Sequence, residues 1–276
     1  MEQTKTNRRE EDRMRERTMF ILGVRVDNVT SQTAMALLKV FASHHNGSNP
    51  RKVFFVNVHS IQSARRDHEL MSCVNSADLV LPDGSGLKIA GKIFGTPIIE
   101  NLNGTDFSPK VLRYAESRGL TVYLLGARPR VIEGCLDHLR KSYSRLQIVG
   151  YHHGYLSAEE HEAVIEDINS KRPDILLVAF GTPTQEKWIA HNARNLNVGV
   201  CLAVGGLFDF LSGAIVRAPI WMRRSGMEWL FRFFQDPAGK WNRVFVEIPV
   251  FLGRVAARRF IPRPLQQFIY RTLIFR

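Results

Sequence analysis

Residues 174–204 read DILLVAFGTPTQEKWIAHNARNLNVGVCLAV. The run at 174–180 is almost wholly apolar, as in a strand covered on both faces. Residues 183–195 carry a helical pattern, and 198–204 are apolar again. A strand, a helix and a second strand in this span predict a βαβ unit with parallel strands. The joint Gly181-Thr182-Pro183-Thr184-Gln185-Glu186 predicts its own helix start. Thr182 as N-cap, Pro183 at the first helical position and Gln185 at the third would form a capping box.

The same alternation spreads outward. Strands are predicted at 19–26, 53–58, 77–81, 121–125 and 146–151. Helices are predicted from a Thr30 cap to about residue 44, after 58, and over 85–94, 106–118, 129–142 and 157–170. The fold class is therefore α/β: a mostly parallel, Rossmann-like sheet flanked by helices. Such sheets bind ligands beyond the carboxyl ends of their strands. The loops at 57–60, 82–86, 126–130, 181–186 and 205–209 are thus the candidate site, and they bring in Asn57, Gly126 and Gly205.

Three segments are expected. Residues 1–18 are charged with almost no apolar side chain and read as a disordered tail. Residues 19–212 form the α/β unit. Residues 213–276 read as a helical appendage, helical over 220–235, broken at Asp236-Pro237-Ala238-Gly239, and interrupted again at Pro249, Pro262 and Pro264. From 217 onward, twelve Arg and Lys stand against three acids, which is nine of the chain's net charge of +12. Charge of that density among aromatics suits a nucleic acid, an anionic membrane or a diphosphate. No apolar leader and no run of 18 apolar residues occurs, so neither a secretory signal nor a spanning helix is predicted. Cys73, Cys135 and Cys201 are sparse and lack a CxxC spacing, which argues against disulfides and fits a reducing compartment.

Several residues could carry chemistry. Asp83 ends a predicted strand and precedes Gly84; it is either a general base facing the crevice or an N-cap for the helix at Ser85. Asn103-Gly104-Thr105-Asp106 reads as a turn and cap, or as donors for a sugar or phosphate at a helix start. Gly205-Gly206-Leu207-Phe208-Asp209 permits close backbone approach. Arg217, Arg223, Arg224, Arg232 and Arg243 are the cations suited to a diphosphate. Arg224, Glu228 and Arg232 share one helix face, where a plain ion-pair ladder is the simpler reading. GxGxxG, GxxxxGK[ST] and Asp-x-Asp are all missing, which weighs against a nicotinamide enzyme, a P-loop enzyme and a metal-held nucleotide. His152 and His153 have no further ligand near them in sequence, so no metal site and no cofactor are expected.

Together the motifs resemble the WecG/TagA/CpsF glycosyltransferases. Residues 77–84 (ADLVLPDG), 103–106, 181–186 and 205–209 follow the family's order, and Arg217-Ala218-Pro219 and Glu228-Trp229-Leu230 with Arg232 complete the set. The resemblance implies an inverting transfer from a UDP-sugar to a polyprenyl-diphosphate-linked sugar, without metal. It implies Asp83 as catalytic base. Asn57, Asn103, Thr105, Asp106, Gly126, Gln185, Gly205, Asp209, Arg217, Arg224 and Arg232 would bind substrate, with the appendage closing over the nucleotide and touching an anionic membrane. A cytoplasmic enzyme peripheral on the inner membrane face, self-associating and binding no nucleic acid, is expected. Phe55, Thr184 and Ala238 depart from residues frequent in the family, and the Phe-Val-Asn and Asn-Gly-Thr-Asp forms look closer to its exopolysaccharide glucosyltransferase branch. A nucleic-acid-binding protein and a different Rossmann-like enzyme are the competing readings.

Overall fold

The structure is a computed structural model that describes residues 18–43 and 49–259; of Ser43 and Arg224 it describes the backbone alone. The predicted tail at 1–17 and the breaks at Pro262 and Pro264 lie outside the described residues.

The predicted first strand is two strands. β1 (Thr18–Ile21) and β2 (Val24–Asp27) pair antiparallel in a separate two-stranded sheet. The turn between them is Leu22-Gly23, both at positive φ, and a leucine there gives little sequence signal. Asp27 docks this hairpin. It is fully buried, accepts from Thr18 Oγ1 and Val80 N (both 2.8 Å), and pairs with Arg25 at 3.0 Å.

After α1 (Ser31–Ser43) the main sheet begins with β3 (Arg51–Val56). Helices α2 (Val58–Arg66) and α3 (His68–Asn75) lead to β4 (Leu79–Pro82), then α4 (Ser85–Phe94) and α5 (Gly104–Arg118). β5 (Thr121–Gly126), α6 (Pro129–Ser142), β6 (Gln147–His152), α7 (Ala158–Lys171), β7 (Ile175–Ala179), α8 (Thr184–Asn192) and β8 (Val200–Ala203) follow. The six strands are all parallel, in the order β4-β3-β8-β7-β5-β6.

Strand residues alternate between two cores. Val53, Phe55, Leu79, Leu81, Leu177 and Leu202 face one. Phe54, Val56, Val80, Leu176, Val178 and Cys201 face the other. With both faces covered, the strands are apolar throughout, which is why the sequence read as continuous runs.

Beyond β8 the described chain is helical: α9 (Leu207–Leu211), α10 (Ile220–Arg224), α11 (Glu228–Gln235), α12 (Pro237–Asn242), a π-helical turn (Arg243–Glu247) and α13 (Ile248–Arg259). The single helix expected over 220–235 is two, parted at Gly226 with φ +76°. Asp236-Pro237 starts α12 rather than ending order: Asp236 accepts from Gly239 N at 2.9 Å and Pro237 is the first helical residue. Pro249 does not interrupt α13. It follows a π turn in which Ile248 N donates to Arg243 O, five residues back, a wider ring than that of a regular helix. Phe251 and Val255 of α13 are fully buried in the second core.

Candidate active site

One cavity of about 930 Å³ lies at the carboxyl ends of β3, β4, β7 and β8. The chain crosses from β3 outward to β4, then to the far side of the sheet, and returns through β7 and β8. The crevice opens where those directions diverge.

β3 delivers Asn57, whose carboxamide caps α2 by accepting from Ser60 N at 3.1 Å while Nδ2 reaches Asp83 Oδ2 at 3.4 Å. β4 delivers Asp83. Its N–H donates to Val56 O at 2.8 Å, which continues the strand pairing past Pro82. Gly84, at φ +98°, then turns the chain into α4 with no side-chain cap, so Asp83 lines the cavity instead of capping a helix. Burial pushes the Asp83 carboxyl above its ordinary value; the charges of Arg232 and Arg243 and the Asn57 hydrogen bond pull it back in part.

α5 delivers a second cluster. Asn103 is its cap, accepting from Asp106 N at 2.8 Å, and Thr105 Oγ1 donates to the same oxygen. Asp106 Oδ1 takes Arg217 Nη2 at 2.6 Å and Arg223 Nη1 at 3.3 Å. Burial raises the Asp106 carboxyl, but Asn103 and the two arginines outweigh it and hold it below the usual range. Arg217 also donates to Thr105. It fastens the start of the appendage to α5 and is not among the cavity-lining residues.

The joint before α8 differs from its sequence reading. The Thr182 hydroxyl donates to Glu186 Oε1 at 2.9 Å rather than capping, and α8 starts at Thr184 without a side-chain cap. Gln185 is buried. Its Oε1 accepts from Gly181 N and Gly205 N at 3.3 and 3.0 Å, and its Nε2 donates to Glu186. The side chain ties together the loops after β7 and β8 at the cavity wall. Burial raises the Glu186 carboxyl.

The appendage supplies the cations. Arg232 lies 4.8 Å over the Phe210 ring and pairs with Glu228 at 2.9 Å, while Lys240 and Arg243 line the cavity beside it. Burial lowers the Arg243 guanidinium. The Arg224 side chain lies outside the description.

Not every expected site residue lines the cavity, and the histidine pair has a third neighbour. Gly126 is not among the cavity residues: a Cβ there would meet Ala179 O at 2.5 Å, so the glycine serves the close packing of β5 on β7. Asp209 also lies off the cavity, its carboxyl raised by burial. Glu160 joins His152 and His153, with ligand atoms within 4.8 Å of one another, though its carboxylate already accepts from Ser157 N in the α7 capping box. Sequence reading passed over His59 and Glu247. The signals were present: His59 falls in a flagged loop, and Glu247 is an acid inside an apolar, basic run.

A parallel α/β sheet whose strand ends gather a carboxylate, a pinned carboxamide and several cations in one crevice defines an enzyme of small polar ligands. The sequence profile of the glycosyl transferase WecG/TagA/CpsF family matches residues 19–264, and the chain belongs to that family of glycosyltransferases. A Staphylococcus aureus (strain MW2) relative, named N-acetylglucosaminyldiphosphoundecaprenol N-acetyl-beta-D-mannosaminyltransferase, is 29% identical over 258 residues, covering 92% of this chain and 98% of its own. A relative of the same name in Bacillus subtilis (strain 168) is 31% identical over 215 residues, 76% of this chain and 82% of its own.

Proposed function

We propose that this glycosyltransferase moves a hexose of the N-acetylmannosamine or glucose type from its UDP carrier to a polyprenyl-diphosphate-linked sugar in making a cell-surface polysaccharide. The observation that carries the reading is Asp83: a carboxylate at a strand end, inside the cavity, with Arg232 and Arg243 close enough to act on its charge. Asp83 takes the proton of an acceptor hydroxyl as that oxygen attacks the anomeric carbon. The carbon–oxygen bond to UDP breaks with inversion, and Arg223, Arg232, Lys240 and Arg243 stabilise the diphosphate that leaves. The relatives are named for transfer of N-acetylmannosamine to N-acetylglucosaminyldiphosphoundecaprenol, which supports testing that sugar and that acceptor first.

The appendage also suits a lipid surface. Trp221, Phe234, Trp241 and Phe245 are exposed, and Trp241 stacks near Phe245 with ring centroids 4.2 Å apart. Among the described residues, no helix is long and apolar enough to cross a membrane. Exposed aromatics beside arginines match an interfacial mode of binding, peripheral on the inner leaflet where the lipid substrate resides.

The test is UDP release by the purified protein, with UDP-N-acetylmannosamine and UDP-glucose in turn, a polyprenyl-diphosphate-GlcNAc acceptor, and chelator. Acceptor-dependent release that falls about 10²–10⁴-fold in Asp83→Asn is expected. Normal turnover by that variant would remove Asp83 from the mechanism.

A further inference from the structure

His59 is the second residue of α2 and lines the cavity. Its Nδ1 lies 3.0 Å and 3.3 Å from the two carboxylate oxygens of Glu247. Glu247 comes from the π turn, 188 residues away in sequence, and is 5% exposed. The turn is fastened at the same point: Gln62 Nε2 donates to Glu247 O at 3.3 Å, and Arg254 Nη1 donates to Gln62 Oε1 at 2.8 Å. A buried carboxylate behind a histidine fixes both the ring and its tautomer. In the neutral ring this holds the proton on Nδ1 and leaves the lone pair on Nε2. Among the described residues, Nε2 has no hydrogen-bond partner.

The surroundings narrow what Nε2 meets. Glu247 touches the ring, and Glu186 is a second buried acid of this region. Gln185 and Thr182, which hold Glu186, line the same cavity. Two buried acids disfavour a phosphate at this wall and leave a neutral donor unopposed. Arg217 and Arg223 gather instead at Asp106, while Arg243 acts on both Asp83 and Glu247.

We propose that His59 is a further substrate-contacting residue of the transfer, its Nε2 accepting a hydrogen bond from a sugar hydroxyl, with Glu247 as its positioning residue. The inference rests on the glycosyl-transfer reading above. It also gives the cavity a polarity, with diphosphate toward Arg223 and Arg232 and sugar toward His59 and Gln185. The hydroxyl belongs to the donor sugar or to the acceptor sugar.

The experiment uses the whole protein and the variants His59→Asn, Glu247→Gln and Glu247→Leu. Asparagine keeps an N–H for Glu247 and lacks the outer nitrogen, so Glu247 is not left unpaired. Steady-state constants are measured for UDP-N-acetylmannosamine and for the lipid-linked acceptor, and UDP binding is measured by calorimetry. His59→Asn is expected to lower kcat/KM roughly ten-fold for one sugar substrate, with UDP bound as in the wild type. A raised KM for the donor assigns the hydroxyl to the donor, and a raised KM for the acceptor assigns it to the acceptor. Glu247→Gln, still accepting from Nδ1, should keep most activity, and Glu247→Leu should fall to the level of His59→Asn. Wild-type constants for both substrates in His59→Asn, or UDP affinity lost in step with them, would overturn the proposal while leaving the transfer intact. A wild-type protein that neither binds nor releases UDP would instead remove the parent reading, and this one with it.

Discussion

Asp83 carries opposed demands. Its carboxyl is raised by burial, so ionising it costs folding energy; that part of the stability is present at low pH and lost as pH rises through the raised pKa. As a base it works only when ionised, so kcat/KM falls as pH drops through the same value, above the 3.8 of an ordinary aspartate. Arg232→Met removes the largest charge pulling that value down, and the acid limb should move to higher pH. A limb that stays in place in a pH–rate profile would separate Arg232 from Asp83. That Asp83 reaches the crevice was legible from its place after an apolar strand, while the residues alone left base and helix cap as equal readings. The packing role of Gly126 was not legible, because a glycine needed for ligand approach and one needed for packing look the same in sequence. Nothing local pairs His59 with Glu247, since the contact spans most of the chain.

At the level of elements, most strands and helices were legible because apolar runs and helical periods alternate cleanly. The failures sit where tertiary contacts override local signals. The α8 start uses Thr182 to hold Glu186 rather than to cap, because a buried acid needs donors more than an exposed helix end does. Pro249 marks a break by local rules, yet the π turn before it makes room. α13 belongs to the core: Phe251, one of the aromatics of the basic C-terminal segment, is fully buried. Phe251→Ala should therefore cost about 3–5 kcal/mol in denaturant unfolding. A loss under about 1 kcal/mol would place α13 outside the cooperative fold. Deleting the chain beyond 244 would remove core residues, so point changes are the cleaner probes of the membrane surface.

At the level of the whole molecule, the charge imbalance is the feature composition alone made plain. The structure sets it beside exposed aromatics on the appendage. Replacing Trp241 and Phe234 together by alanine should weaken flotation with anionic phospholipid vesicles by more than about ten-fold, while UDP release with a short, soluble acceptor persists. Equal flotation would move the membrane contact elsewhere. Raised salt should weaken binding to anionic vesicles and leave the aromatic part in place.

The strand order was not legible, and it has a consequence for how the protein is made. β8 lies between β3 and β7, joining the β4-β3 pair to the β7-β5-β6 trio. On the ribosome β3 emerges early, and its partner β8 does not exist until the chain has grown past residue 199. Until then the edges of β3 and β7 that pair with β8 have no partner, the situation in which nascent chains draw chaperones or mispair. Closure depends on contacts distant in sequence, which is slow. The cavity straddles that seam, so no competent site for a reactive sugar is present on an unfinished chain.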